Sequence, residues 1–279
     1  MHRTLVTAGE LAEHLNDPSW IVVDCRHSLQ DLDSGRRAYA QGHIPGAFFA
    51  GVETDLAGAK TGKNGRHPMP DPQHFAAFLR ALGVTAQTQI VAYDAGADMF
   101  AARMWFLCRH AGHEAAAVLD GGFSAWTAAG KPVSTEEPAK PGTGTFQSRP
   151  RHELTVDAAA VLASLEQGGL SLVDARAADR FAGQNETIDP VAGHIPGALN
   201  RPFKQNFDER GLFKPAAQLR DEFTQLGVHP KQLVHQCGSG VSAAVNYLAM
   251  EHAGIEGSRL YPGSWSEWIA DPSRPIATG

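Results

Sequence analysis

Cysteine is scarce. Only Cys25, Cys108 and Cys237 occur in 279 residues, far apart and with no CxxC pair. That spacing offers neither a disulfide framework nor a zinc site. Long apolar runs are missing too: no segment reaches membrane-spanning length, and the opening stretch MHRTLVTAGELAEHL lacks an apolar core of signal-peptide size. Basic runs are equally absent, and 24 Lys and Arg against 30 Asp and Glu give a net charge of −6. This balance points away from nucleic acid and from an anionic membrane as partners. The expected location is the cytoplasm, where Cys237 stays a free thiol.

What is present is ordinary globular material, 43% hydrophobic and 19% charged, long enough for two domains. The chain repeats itself in order. WIVVDCR (20–26) is echoed by LSLVDAR (170–176), and GHIPGA at 42–47 recurs letter for letter at 193–198. RALGV (80–84) answers TQLGV (224–228), IVAYD (90–94) answers LVHQC (233–237), and LDGGFSAW (119–126) answers YPGSWSEW (261–268). Such ordered self-similarity marks a duplicated domain. Between the halves, KPVSTEEPAKPGTGTFQSRPR (131–151) is rich in Pro, Gly and Ser and lacks periodicity, as a linker does. The expected division is 1–135, a linker at 136–151, and 152–279.

Within each half, short apolar runs alternate with helical patterns. Thr7 with Glu10 reads as a capping box opening the first helix, and Asp157 is its counterpart in the second half. After VHQC, the residues Val245, Leu248 and Ala249 mark an apolar helix face, with Gly254 as its stop. Strand–helix alternation predicts an α/β fold, each half a parallel sheet flanked by helices on both faces. Ligands of such sheets sit at the carboxyl ends of strands, and Cys237 falls at one.

The residues after that cysteine make its position chemically specific. Gly238 and Gly240 let the loop curl so that successive N–H groups point inward, forming an anion-binding nest. A helix expected to start near Ser242 adds unpaired N–H groups and the positive end of its dipole. Both suit an anionic sulfur, which is the nucleophilic form, or a persulfide. Ser239 and Ser242 are further candidate donors to that sulfur or to the departing group. The competing reading is a buried, inert cysteine whose glycines serve only the turn. A Gly-x-Gly turn running into a helix favours the reactive reading.

The duplicated halves, the twin GHIPGA segments, the VDAR strand end and the CGSGVSA loop together resemble a two-domain rhodanese-family sulfurtransferase, over nearly the whole chain. The resemblance implies tandem rhodanese-like domains, the second catalytic and the first silent. It assigns the persulfide to Cys237 and the cradle to Gly238, Ser239, Gly240, Val241 and Ser242, while Asp94 stands at the matching position of the first half. It also implies a small-molecule sulfur donor, a thiol acceptor such as a thioredoxin-like protein, or cyanide, and no cofactor or metal. Members of the family preferring 3-mercaptopyruvate typically read CGSGVTA, whereas thiosulfate-preferring members place cations directly after the cysteine. The uncharged CGSGVSA leans to the former, with a thiosulfate-preferring enzyme as the alternative. Arg180 matches the family arginine that pairs with the donor's anionic group. A second arginine common in mercaptopyruvate enzymes is missing from FAGQNETIDPVA. The acid that some of them carry after the aromatic pair is here Ala50, which leaves Glu53 or Asp55 as substitutes.

Other residues have plainer readings. His43 and His194 occur in both halves and are expected to fix loops; Asp24 with Arg26 and Asp174 with Arg176 are expected to pair. His110 and His113 have a metal-like spacing without a third ligand. Cys25 and Cys108 read as core, Trp126, Trp265 and Trp268 as packing anchors, and His67 as a residue bordering the site. A cysteine phosphatase would need an arginine at 243, where Ala243 stands. A non-catalytic rhodanese-like binding module is the last rival.

Overall fold

Alternation of short β-branched runs with amphipathic stretches produces two wound parallel sheets, seen in a computed structural model that describes residues 1–139 and 142–279. The chain divides into two compact units. The first comprises Met1–Gly58, Pro70–Arg151 and Phe207–Phe213; the second comprises Ala59–Met69, His152–Asn206 and Lys214–Gly279. Residues 140 and 141 of the expected linker lie outside the described residues. From Gly144 to Arg151, that stretch is laced to the first unit through Gly144 N–H to Arg80, Phe146 N–H to Val84 and Arg149 N–H to Ala111. Phe146 is buried there, which gives a proline-rich strap an apolar reason to stay down.

In the first unit β1 (Leu5–Val6), α1 (Ala8–Glu13), β2 (Trp20–Asp24), α2 (Ser34–Gln41) and β3 (Phe48–Phe49) are followed by α3 (Pro72–Ala81), β4 (Gln89–Tyr93), α4 (Phe100–His110), β5 (Ala116–Leu119) and α5 (Gly122–Ala128). The sheet order is β1-β5-β4-β2-β3, with every pairing parallel. Side chains alternate across the strands. Val22, Val91 and Ala117 face Leu11 of α1 and Trp126 of α5, while α4 packs on β4 and β5. The Thr7–Glu10 capping box forms as expected.

In the second unit α6 (Ala158–Gln167), β6 (Ser171–Asp174), α7 (Ala178–Phe181), β7 (Leu199–Asn200), α8 (Ala216–Thr224), β8 (Leu233–Gln236), α9 (Ala243–His252), β9 (Arg259–Leu260) and α10 (Ser264–Trp268) follow. Its sheet, β7-β6-β8-β9, is also parallel, and a single Thr155–Leu260 bridge stands where β1 stands in the first. Val161, Leu172, Val234, Trp265 and Trp268 form one core face, and α9 packs on β8 and β9. Asp157 accepts from Ala160 N–H and caps α6.

Helix α9 departs from expectation. Every residue from Ala243 to Met250 is buried, not only the Val245, Leu248 and Ala249 stripe, because α8 covers the face turned away from the sheet. A helix covered on both sides carries no polar stripe. The paired anchors behave alike: the indole N–H groups of Trp126, Trp265 and Trp268 donate to the carbonyls of Pro132, Val191 and Pro275. Among the described residues no helix is long and apolar enough to cross a membrane.

Candidate active site

Strand β8 ends at Gln236, α9 starts at Ala243, and residues 237–242 make the turn between them. Two carbonyls of the turn are tied down: Cys237 C=O accepts from Trp265 N–H at 3.0 Å and Gly238 C=O from Ser266 N–H at 2.9 Å. The Cys237 N–H is held by the Ser264 hydroxyl at 3.1 Å. Gly240 adopts φ +74°, and a Cβ there would lie 2.2 Å from the Pro262 carbonyl. Only glycine fits both the left-handed backbone and that approach. The curl brings Gly240 N–H to 3.1 Å from Cys237 Sγ.

Cys237 is 2% exposed, with Val241 and Ser242 buried behind it. Ser242 precedes α9 with helical φ and ψ and makes no side-chain cap bond. Ser239 Oγ meets His67 Nδ1 at 2.8 Å, and His67 is itself buried. His67 therefore does border the site, backing the serine two residues after the cysteine.

Arg180 lies on the short helix α7. Its Nε and Nη2 form a fork on the buried Glu186 carboxylate at 2.9–3.2 Å, and Nη2 reaches Asp189 Oδ2 at 3.4 Å. Arg66 pairs with the other oxygen of Asp189. A methyl group added to Gly238 would lie 2.9 Å from Arg66 Nη2, 3.6 Å from Asp189 Oδ2 and 3.7 Å from Arg180 Nη2. Two guanidinium groups and a carboxylate thus converge on the residue after Cys237. Burial pushes the Asp189 carboxyl up, against the pull of Arg66. Burial acts the same way on Glu186, yet the Asp189 N–H and Arg180 outweigh it and hold that carboxyl below the usual range.

Sequence reasoning found Cys237, its loop and Arg180, but it missed Arg66, Glu186 and Asp189. The last two lie in the stretch noted only for lacking an arginine. Arg66 has no sequence signal beyond standing next to His67, and only folding brings it to a loop that begins at residue 237. The remaining residues take their plain roles. Arg26 pairs with Asp24 and Arg176 with Asp174, while His43 and His194 hold the Tyr39 and Phe181 carbonyls through Nδ1. Burial pushes the Cys25 and Cys108 thiols up. Helix α4 ends at His110, so His113 lies off it and holds the Thr88 carbonyl. Among the described residues no group of three or more His, Cys, Asp or Glu is placed to hold a metal. Asp55 accepts from Gly51 N–H and Thr54.

The rhodanese-like domain family matches residues 7–129 and again 157–271. A Pseudomonas aeruginosa protein named as a probable 3-mercaptopyruvate sulfurtransferase is 48% identical, spanning 99% of this chain and 98% of that one. Thiosulfate sulfurtransferase of Rattus norvegicus is 33% identical, spanning 100% and 97%. The crystal structure of the Escherichia coli 3-mercaptopyruvate enzyme superposes with a TM-score of 0.82 at 32% identity, covering 95% of this chain and 99% of that one.

Proposed function

Since the chain belongs to the rhodanese-like family and is a sulfurtransferase, acting between a small-molecule sulfur donor and an acceptor, we propose that Cys237 carries the sulfur as a persulfide and that 3-mercaptopyruvate is its preferred donor. The observation that carries this reading is the Gly240 N–H on Cys237 Sγ at 3.1 Å, in a turn without charged side chains. A fixed backbone dipole aimed at the sulfur favours negative charge there, both on the attacking cysteine and on the persulfide that replaces it.

The reaction is a two-step relay. Cys237 sulfur, as thiolate, attacks the sulfur of 3-mercaptopyruvate. An S–S bond forms, the C–S bond breaks, and its electron pair leaves on the enolate carbon, which takes up the donor thiol's proton to become pyruvate. With thiosulfate, the S–S bond breaks instead and sulfite departs. An acceptor thiolate then attacks the outer sulfur and carries it off, releasing the Cys237 thiolate; cyanide takes it as thiocyanate. Arg180 orients the donor's carboxylate in this scheme, with its guanidinium held in place by the Glu186 carboxylate through Nε and Nη2. No step requires a metal or organic cofactor.

A thioredoxin-like protein as acceptor, the cytoplasm as location, and the division into a silent 1–135 and a catalytic 152–279 belong to the same proposal. Catalytic efficiency with both donors in one preparation tests the donor. The reading expects 3-mercaptopyruvate to exceed thiosulfate by at least about tenfold, a difference of roughly 1.4 kcal/mol in transition-state binding. The reverse order would make this a thiosulfate enzyme.

A further inference from the structure

Helices α5 and α10 open on the same unusual backbone and differ there by one side chain. Gly122 has φ +56° and Ser264, its counterpart between LDGGFSAW and YPGSWSEW, has φ +54°. Glycine takes this left-handed conformation freely, whereas serine is strained in it. Besides Ala97, Ser264 is the only non-glycine residue with positive φ among the described residues. In the first unit a Cβ on Gly122 would lie 2.6 Å from the Asp94 carbonyl oxygen and 2.8 Å from the Gly96 nitrogen, so that loop leaves no room for a side chain. The loop of the second unit admits one. Ser264 is fully buried; its hydroxyl accepts from Cys237 N–H at 3.1 Å and donates to the Tyr261 carbonyl at 2.8 Å.

We propose that Ser264 is a positioning residue for the nucleophile: its hydroxyl holds the N–H of Cys237, and the strained backbone at 264 is what brings it there. The inference rests on the sulfurtransferase reading of Cys237 and adds a residue to it. A strained residue persists where its surroundings over-determine it, and such residues gather at working sites. Here Trp265 N–H holds the Cys237 carbonyl and Ser266 N–H holds the Gly238 carbonyl. With Ser264, three successive residues of α10 thus grip the turn. Cys237 is fixed at both its N–H and its C=O, which directs Sγ to Gly240 N–H. The two halves need different anchors. The Asp94 carboxylate is tied by Gly96 and Ala101 N–H and never changes its bonding. A sulfur that alternates between thiolate and persulfide does change, so its residue is held from the backbone side, whatever the sulfur carries. That hold keeps the attacking atom in line in both steps of the relay.

Ser264→Gly and Ser264→Ala separate the hydroxyl from the fold. Both remove it, but glycine also relieves the left-handed strain while alanine keeps it, so the alanine variant should melt lower. Persulfide formation on Cys237 from 3-mercaptopyruvate, read by mass spectrometry in single turnover, should nonetheless fall by the same factor in both. About tenfold to a hundredfold is expected, as for a displaced nucleophile. In steady state the loss should fall on kcat, with KM within about twofold of wild type. If the alanine variant does not fold, the glycine variant carries the test. A second readout needs no turnover. Labelling the three cysteines with 15N gives one amide signal each, assigned for Cys237 by its disappearance in Cys237→Ser. Losing the hydroxyl should move the Cys237 amide proton upfield and leave those of Cys25 and Cys108 in place. A full rate in Ser264→Gly, a loss that follows melting temperature from one variant to the other, or an unmoved Cys237 amide would overturn the positioning role. Wild-type protein that forms no persulfide on Cys237 would overturn the underlying reading instead, and the amide signal distinguishes the two failures.

Discussion

The loop after β4 and the loop after β8 are built alike and filled differently. In each, five residues lie between the loop's first residue, Asp94 or Cys237, and the start of the next helix, at Phe100 or Ala243. In each, the first two carbonyls are tied to a later helix: those of Asp94 and Ala95 accept from Phe123 and Ser124, those of Cys237 and Gly238 from Trp265 and Ser266. The third position beyond is left-handed in both, Ala97 at φ +47° and Gly240 at φ +74°. The occupant is what changes. The Asp94 carboxylate accepts from Gly96 and Ala101 N–H at 3.1 and 3.0 Å, whereas Cys237 Sγ accepts from Gly240. The anion-accepting cradle is thus common to both loops, and under the proposed function what the second loop adds is the sulfur of Cys237. A carboxylate can satisfy the cradle but cannot carry sulfane sulfur.

The sharpest way to break this comparison is to exchange the occupants. Cys237→Ser should lose donor-driven pyruvate release entirely, and adding Asp94→Cys to that variant should not restore it, because the first loop has Ala95 and Gly96 where the second has Gly238 and Ser239. Recovered turnover would show that the cradle alone suffices. Next come the left-handed positions. Gly240→Ala puts a Cβ 2.2 Å from the Pro262 carbonyl, and the expected cost is at least about 2 kcal/mol of stability with a large fall in activity. The reciprocal Ala97→Gly relieves a strained residue while loosening the unfolded chain, so its effect should stay within about 1 kcal/mol. Denaturant midpoints measure both.

Acid separates the two strands that lead into these loops. The residue two before Cys237 is His235, and the residue two before Asp94 is Ala92. Burial, with a smaller push from Arg201, drives the His235 pKa from 6.5 to about 3. Below pH 6.5 the unfolded chain binds a proton that the folded chain refuses, so this contribution is complete above 6.5 and is lost as pH falls towards 3. Melting temperature should therefore drop across that window, and His235→Leu should flatten the drop. An unchanged acid limb in that variant would place the sensitivity elsewhere. The smallest effect belongs to His67→Ala, which leaves the Ser239 hydroxyl without its partner. About 1 kcal/mol of stability and a several-fold loss in catalytic efficiency are expected, read by thermal melting and steady-state assay.

The sequence made the repeat, the parallel sheets, the cysteine loop and the paired Asp–Arg strand ends legible, because each rests on local spacing or on self-similarity between halves. It did not reveal the surroundings of the loop serines. Ser239 and Ser242 are candidate donors to sulfur or to the departing group by their place in the loop, while φ and ψ at Ser242 and the approach of His67 to Ser239 are set by tertiary packing. Arg66 and Asp189 were invisible for a related reason: 123 positions separate them, and neither stands in a motif. The full burial of α9 followed from a neighbour, α8, that periodicity within one helix does not report.

Peptide-mapped mass spectrometry after a single exposure to 3-mercaptopyruvate tests the role of the Cys237 sulfur directly. The wild-type protein should gain the mass of one sulfur atom on the peptide holding Cys237, with none on those holding Cys25 or Cys108, and a thiol acceptor should remove it. Sulfur on either of the other cysteines, or turnover with Cys237 unmodified throughout, would contradict the account.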